Sequence, residues 1–337
     1  MADTGARPLV GEDGQGVLEA DLPDSLVSLP YPAIVSGGRF REANYWDSYW
    51  IVQGLLVSKL TDTARGVILN FADLIDRMGF VPAGNRVYYG RRSAPPVLAL
   101  MVDSYRRNPH VTVGQGKKLV QETLPALERE YRWWMEQRNV TVRSADGQLQ
   151  AILNVYRAGL LAAPMTHPRP EFYLQDVHRA SNLSDPSSWD KLYRNGAAAS
   201  ESTWSSSSRW TDVEVEDIVP VDLNAFLCAY ERQMAEFYHS TGNEKMAEEF
   251  QDLAKIRADA IHAFLWNDTV KMWRDYDVRA QKQRPGFYLS HIAPIFAHCS
   301  GKVNITSTDF LQAVFKSADV GFILTFSYFF SLDLRVI

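Results

Sequence analysis

The stretch "SGGRFREANYWDSYW", Ser36 to Trp50, places two glycines, two arginines and two acids among five aromatic residues. A similar mixture, with glycine or proline, recurs in "GFVPAGNRVYYGRRSAPP" (79 to 96) and "HPRPEFYLQD" (167 to 176). Arginine and carboxylate groups hydrogen-bond neighbouring hydroxyls in pairs, and flat rings pack against the apolar faces of a sugar. The three stretches predict a sugar-binding site built from loops, with solvated arginines and core aromatics as the plainer alternative.

Around these loops, apolar residues recur at the spacing of amphipathic helices. One such run starts at Pro220 and Asp222, where a fixed φ and a side-chain acceptor are expected to satisfy the first free amides. Strand-like runs are few and short, and no β-α-β rhythm is present, so we predict an all-α protein without a Rossmann domain. The periodic positions are Phe71, Leu74, Ile75 and Met78; Leu124, Leu127, Tyr131 and Trp134; Leu223, Phe226, Leu227, Tyr230, Met234 and Phe237; and Met246, Phe250, Leu253, Ile261, Phe264 and Leu265.

Composition and charge exclude several classes of protein. The chain has 337 residues, 46% of them hydrophobic, which is enough to bury one large core or two smaller ones. A net charge of -5 without a dense lysine-arginine block argues against a nucleic-acid partner. The apolar run from Gly321 to Leu332 is short of the roughly 20 residues that a membrane-spanning helix needs, so we expect no membrane span.

Cysteines and processing signals give less definite expectations. Cys228 and Cys299 belong to no paired motif, and two buried thiols are the preferred interpretation, with one disulfide as the alternative. Residues 1–16 do not resemble a secretory signal. Four glycosylation sequons are nevertheless compatible with a secreted or membrane-anchored parent, which leaves localisation open, and they begin at Asn139, Asn182, Asn267 and Asn304.

Metal and cofactor chemistry find little support in the sequence. There is no H-E-x-x-H, no pair of cysteine ligands and no phosphate-binding glycine loop with its Lys-Ser/Thr. We therefore expect no metal and no cofactor, and a small molecule as the ligand. The sequence leaves the oligomeric state open.

The three loops resemble the trehalase family of glycoside hydrolases. "GGRFREANYWDSY" is similar to the family's P-G-G-R-F-x-E-x-Y-x-W-D-x-Y, with Ser36 in place of its proline and Asn44 in place of a tyrosine. The second loop resembles G-F-I-P-N-G-x-R-x-Y-Y-x-x-R-S-Q-P-P, and "PRPEFY" resembles P-R-P-E-S-Y. The resemblance implies an (α/α)6 toroid, incomplete at both ends, that hydrolyses α,α-trehalose to glucose with inversion.

Domain boundaries and a set of site residues follow from the same resemblance. Residues 31–318 are expected to form the helical domain, between a poorly ordered segment at 1–30 and a divergent apolar tail at 319–337. Ala83 and Ala94 depart from the family's asparagine and glutamine, and each replaces an amide by a methyl group. The expected substrate-binding residues, with trehalose as the implied ligand, are Arg39, Trp46, Asp47, Arg92, Ser93, Arg169, Pro170 and Glu171.

The stretch "ESTWSSSSRW", 201 to 210, resembles the family's E-S-G-W-D-F-S-S-R-W and puts Ser205 where the family has its general acid. Inverting hydrolysis needs two carboxyl groups roughly 6.5 to 9.5 Å apart, and a serine hydroxyl is too weak an acid to replace one. In the family the base is a glutamate beyond a Q-W-D-x-P-N-G-W-A-P signature, which these residues lack. We expect the acid to be degenerate and the base absent.

Three hypotheses follow. The leading one is a trehalase-family hydrolase that is impaired or inactive in this copy. The alternatives are a non-catalytic sugar-binding protein and a truncated gene product without a function of its own. Nearby carboxylates are disfavoured as substitutes for the acid because catalytic positions tolerate little displacement, and these are Glu201, Asp212, Glu214, Glu216 and Asp217.

Overall fold

A computed structural model describes residues 25–158, 167–211 and 213–316, together with the backbone of a short strand pair near the start of the chain. The tail at 319–337 and most of the first thirty residues lie outside this range, so the expectations for both segments stay predictions. Within it the chain is mostly helical, which confirms the all-α class. In the described part of the chain, no helix combines the length and apolarity required to cross a bilayer.

The helices carry most of the fold and the strands are short. The α-helices are α1 (Tyr45–Val57), α2 (Thr61–Met78), α3 (Leu98–Arg106), α4 (Val113–Gln137), α5 (Tyr173–Ser181), α6 (Trp189–Glu201), α7 (Val221–Thr241), α8 (Glu244–Leu265) and α9 (Ala293–Phe296), and residues 308–316 are also helical. The strands are β1 (Leu9–Val10), β2 (Gly16–Val17), β3 (Asn139–Arg143), β4 (Gln150–Asn154), β5 (Ile218–Val219), β6 (Trp266–Asn267), β7 (Met272–Trp273), β8 (Tyr276–Asp277) and β9 (Lys282–Gln283).

The strands pair only locally. β3 and β4 form an antiparallel hairpin whose register joins Asn139 to Asn154 and Arg143 to Gln150. β5, β8 and β9 make a three-stranded antiparallel sheet in that order, and β6 pairs with β7. These small sheets connect helices and contribute buried side chains to the core, and the helices supply most of it.

Local sequence signals explain where the long helices begin and end. The Thr112 side chain accepts a hydrogen bond from the Gln115 amide, and the Gln115 side chain accepts one from the Thr112 amide, which is a capping box before α4. Gly79 (φ 82°) and Gly242 (φ 86°) end α2 and α7 in the left-handed conformation that glycine adopts without penalty. The chain therefore turns sharply after both helices.

Helix α7 is the central element of the packing. Its side chains contribute to three clusters of buried residues. The first cluster is shared mainly with α1 to α4, the second with α8 and the small sheets, and the third with α6. The expected start of α7 at Pro220 is correct, and Asp222 accepts the Leu223 amide at 3.0 Å as predicted. The Val221 amide is satisfied by a partner that was not predicted, Asp275, at 3.0 Å.

A disulfide joins Cys228 in α7 to Cys299. The preference for two separate buried thiols is therefore wrong, although both residues are buried. The bridge closes a loop across 71 positions of sequence, and such closure stabilises the fold mainly by restricting the unfolded chain. It ties the segment after α9 to the centre of the molecule.

A buried carboxyl group, Glu130 of α4, lies between α1 and α7. The Tyr45 hydroxyl donates to it at 2.7 Å, and the Tyr230 hydroxyl lies 2.9 Å from its other oxygen. Desolvation raises the pKa of Glu130 to about 7, and the bonds from the two tyrosines offset only part of this effect. The Tyr45 oxygen also accepts the amides of Val97 and Leu98 at the start of α3, so the group joins four helices.

Glu130 makes the stability of the fold depend on pH. Because its pKa is raised on folding, the folded chain holds this proton more tightly than the unfolded chain. The stability that Glu130 contributes is therefore greatest below about pH 4.5, the ordinary pKa, and falls as the pH rises towards 7.

Replacing Glu130 by Gln tests this dependence, since an amide keeps both contacts without ionising. Urea unfolding is expected to show the variant about 3 kcal/mol more stable at pH 8 and nearly equal to the parent at pH 4.5, since one pKa unit corresponds to about 1.4 kcal/mol. Glu136→Gln, a change at an exposed residue further along α4, serves as the control. An equal advantage at both pH values would contradict the account.

Candidate functional site

Backbone hydrogen bonds tie the first two loops together. The Tyr45 amide at the start of α1 donates to the Ala83 carbonyl at 2.9 Å, and the Ala83 amide donates to the Arg92 carbonyl at 3.0 Å. The first turn of α1 carries Trp46 and Asp47, so both residues are fixed beside the 79–96 loop. The loops that sequence analysis grouped by composition are thus neighbours in the fold.

A buried carboxylate, Glu201, joins the second loop to the end of α6. It accepts the Ser93 amide and the Arg157 amide, both at 2.9 Å. The Arg138 guanidinium donates two further bonds at 2.9 Å, one to each carboxylate oxygen. Glu201 has no exposed surface, and its four hydrogen bonds offset the cost of burying its negative charge.

Arg92 and Glu171 form an ion pair between the second and third loops. Their side chains are only 8% and 5% exposed, and desolvation together with the nearby positive charge of Arg169 lowers the pKa of Arg92 to about 10. The Arg92 guanidinium contacts Oε1 of Glu171, and the other carboxylate oxygen, Oε2, accepts no hydrogen bond from the described residues. Glu171 therefore keeps acceptor capacity for a hydroxyl donor.

Arg169 is held by structural partners. Its guanidinium makes a bidentate bond to Asp176 at 2.9 and 2.8 Å and donates to the Gly196 carbonyl of α6 at 2.9 Å and to Ser200. Its exposure is 2%, whereas the adjacent Pro170 is exposed at the start of the short 3-10 turn that carries Glu171. Arg169 thus fixes the third loop against α6 and supplies positive charge beside Arg92.

The remaining predicted residues are more accessible, with one exception. Arg39 is exposed and its guanidinium lies over the rings of Phe40 and Phe172, while Asp47 accepts a hydrogen bond from the Ser36 hydroxyl. Trp46 is half-buried and meets Phe226 edge to face at 5.5 Å. Ser93 is the exception, because it is fully buried and its hydroxyl donates to the neighbouring carbonyl of Ala94.

Ser205 lies half-buried in a tight turn that is fixed on both sides. The Ser207 amide donates to the Trp204 carbonyl at 2.9 Å across the turn, and Thr203 before it has a φ of 63°. Such a backbone angle is uncommon for a β-branched residue and costs on the order of 1 to 3 kcal/mol, which the surroundings must offset. Glu201 anchors the chain before the turn.

Arg209 anchors the chain after the turn. Its guanidinium makes bidentate bonds of 2.8 to 2.9 Å to both Asp222 and Asp275, with no exposed surface. Burial alone would raise the pKa of Asp275, but Arg209 and the neighbouring His291 outweigh it and hold that pKa well below its ordinary value. The cluster is buried and the Arg209 guanidinium bonds both carboxylates in a bidentate manner. It therefore fixes the turn that carries residue 205 relative to α7, in which Asp222 lies.

Sequence reasoning missed three of these anchors. Arg138, Asp275 and His291 lie in stretches that carried no motif in the sequence. Arg138 and Asp275 reach their partners across more than fifty positions, and His291 contacts Asp275. The motif at 201–210 was the sequence feature that pointed to Glu201 and Arg209, since charged residues inside such a motif are either solvated or paired. The structure shows both as paired.

A separate cleft of about 740 Å³ lies between α7, α8 and the segment after α9. Its lining includes His239, Glu244 and His298, and it contains none of the predicted sugar-binding residues. No group of three potential metal ligands is found in the described ranges either. The three loops therefore remain the candidate site on chemical grounds.

Comparisons with known proteins bear on the family to which the chain belongs. The family model Trehalase matches residues 14–321. The chain is similar to the trehalase of Dictyostelium discoideum, with 36% identity over 302 residues that cover 87% of this chain and 49% of that protein. It is similar to the rabbit (Oryctolagus cuniculus) trehalase, with 39% identity over 285 residues that cover 82% and 47% of the two chains.

A solved structure shows the same fold. The neutral trehalase Nth1 from Saccharomyces cerevisiae superposes with a TM-score of 0.65 at 24% identity, over 86% of this chain and 55% of that one. The chain belongs to the trehalase family of glycoside hydrolases and has the helical toroid fold of that family. It spans about half the length of the curated relatives it matches.

Removing the charge of Glu201 tests its role as the junction of the site. In Glu201→Gln the buried Arg138 loses its counter-ion, and breaking such a pair costs about 3 to 5 kcal/mol of unfolding free energy. The matched control is Glu214→Gln, whose partner Lys191 is 62% exposed, and about 1 kcal/mol or less is expected there. Urea unfolding followed by tryptophan fluorescence measures both, and equal losses would contradict the assignment.

Proposed function

We propose that this chain binds α,α-trehalose in the site formed by its three loops and that its ability to hydrolyse the disaccharide is impaired or absent. The observation that carries the proposal is the coexistence of the buried Arg92–Glu171 pair with a serine at position 205. The ion pair supplies charged groups that hydrogen-bond sugar hydroxyls. The serine replaces the proton donor that the family resemblance puts at position 205.

Binding is supported by charge and hydrogen-bond capacity. Glu171 has one acceptor oxygen, Oε2, without a donor among the described residues, and Arg92 has an unused Nε donor in the same range. A sugar offers hydroxyls that both donate and accept, so it can satisfy the two groups together. Leaving such buried groups unpaired costs about 1 to 3 kcal/mol each, which favours a polar ligand.

Loss of chemistry is supported by the environment of Ser205. A serine hydroxyl does not supply a proton at neutral pH, and loss of a positioned general acid typically costs about 10²- to 10⁴-fold in rate. The neighbouring carboxylates that the structure describes have other partners: Glu201 with Arg138, Glu214 with Lys191, Glu216 with Arg157, and Asp217 with Arg279. Asp212 lies outside the described residues. Moving one of them into the place of an acid would break an ion pair.

The departures at Ala83 and Ala94 lower the expected affinity. Ala83 is half-buried at the junction of the first two loops, and Ala94 is buried in the first core cluster. Neither methyl group hydrogen-bonds a sugar hydroxyl. We therefore expect trehalose to bind more weakly here than in a relative that has both amides, by roughly 1 to 3 kcal/mol for each amide lost.

Calorimetric titration with trehalose, combined with a glucose assay on the same samples, tests the proposal. The expected result is saturable binding of trehalose without glucose release, and little heat from sucrose as the control disaccharide. A non-catalytic sugar-binding role is the second candidate, which the retained Arg92–Glu171 pair favours, and it gives the same result. Glucose release at an enzyme-like rate would contradict both, and absence of binding would contradict the sugar site.

Restoring the acid is the sharper test of the missing chemistry. Ser205→Asp is compared with Ser206→Asp, a matched change one residue away, each in the 337-residue chain and in a form extended with the family's downstream signature. Glucose release is expected only from Ser205→Asp in the extended form, because inversion needs an acid and a base. Equal rates from the two aspartates would show that residue 205 is not the acid position.

A further inference from the structure

Phe172 connects two loops of the candidate site. It stands where the family pattern P-R-P-E-S-Y has serine, and it is half-buried beside Glu171. The guanidinium carbons of Arg39 and Arg169 lie over its ring, 5.1 and 4.6 Å from the centroid. A serine has no ring face to offer either cation.

The two cations differ in what else holds them. Arg169 is buried and paired with Asp176, so it keeps its place without the ring. Arg39 is exposed, and no carboxylate oxygen in the described part of the chain lies within 4 Å of its guanidinium. Its described contacts are with the rings of Phe40 and Phe172. Of these, only Phe172 lies outside the loop of Arg39.

The loop that carries Arg39 turns on glycines. Gly37 and Gly38 have φ angles of 94° and 63°, and the Phe40 amide donates back to the Gly37 carbonyl at 3.2 Å. Glycines permit this turn but do not restrict it to one conformation, because they have the widest backbone freedom. At its start, the Ser36 hydroxyl donates to Asp47 of α1. Ser36, like Phe172, departs from the family pattern.

We propose that Phe172 is a positioning residue that orders Arg39 by a cation–π contact and thereby prepares the first loop for sugar binding. The contact acts across the boundary between the 36–40 turn and the 167–176 loop. Its energetic effect follows from the attraction between a cation and the ring quadrupole, and ordering an arginine before binding reduces the entropy lost with the ligand. The consequence for affinity rests on the proposed function, whereas the ordering of Arg39 does not.

Nuclear magnetic resonance of arginine side chains tests the ordering directly. The Nε–Hε signal of Arg39 is assigned in selectively ¹⁵N-labelled protein by its loss in Arg39→Lys. In the parent and in Phe172→Tyr we expect this signal shifted by the ring and a positive heteronuclear NOE. In Phe172→Leu we expect it to move towards the position of a free arginine and to become mobile. An unchanged signal in Phe172→Leu overturns the proposal.

Calorimetry with trehalose on the same proteins tests the consequence. Phe172→Leu is expected to bind about three- to tenfold more weakly than the parent, with Phe172→Tyr restoring the affinity. If the parent binds trehalose and Phe172→Leu binds equally well, the positioning role is wrong. If the parent does not bind trehalose, the proposed function fails, and the resonance of Arg39 still decides whether Phe172 orders it. Equal melting temperatures exclude a general loss of folding.

Discussion

The carboxylate of Glu201 is the interaction on which the candidate site depends. It collects the Ser93 amide, the Arg157 amide and the Arg138 guanidinium at one buried point, and so fixes the second loop against the end of α6. A buried charge of this kind stabilises a fold only when all its hydrogen bonds are made, and here four donors meet two oxygens. The precision of the site thus follows from a side chain that has no access to a ligand.

The turn that carries Ser205 depends on the same principle applied twice. Glu201 fixes the chain before it, and Arg209 with Asp222 and Asp275 fixes the chain after it. Between these two ion clusters the backbone adopts the positive φ of Thr203, a conformation that the fixed ends of the turn maintain next to Ser205. The residues that fix the turn, Glu201 and Arg209, differ from residue 205, so a substitution at 205 leaves these fixing contacts in place.

Helix positions were predictable from the sequence because buried faces impose a 3.6-residue period, and the runs ending at Met78, Trp134 and Leu265 lie in helices as predicted. The disulfide was not, since two cysteines 71 positions apart carry no local signal. Motif resemblance identified the loops, but it did not separate Arg169, which is enclosed by Asp176 and α6, from the accessible Arg39. That distinction arises from tertiary contacts alone.

The most direct test of the account is a crystal structure of the chain grown with trehalose. We expect an intact disaccharide between the three loops, with Glu171 and Arg92 within about 3.2 Å of its hydroxyls and with Ser205 facing the glycosidic oxygen. Electron density for separated glucose units there would contradict the loss of chemistry. An empty loop region, with sugar in the cleft between α7 and α8, would contradict the location of the site.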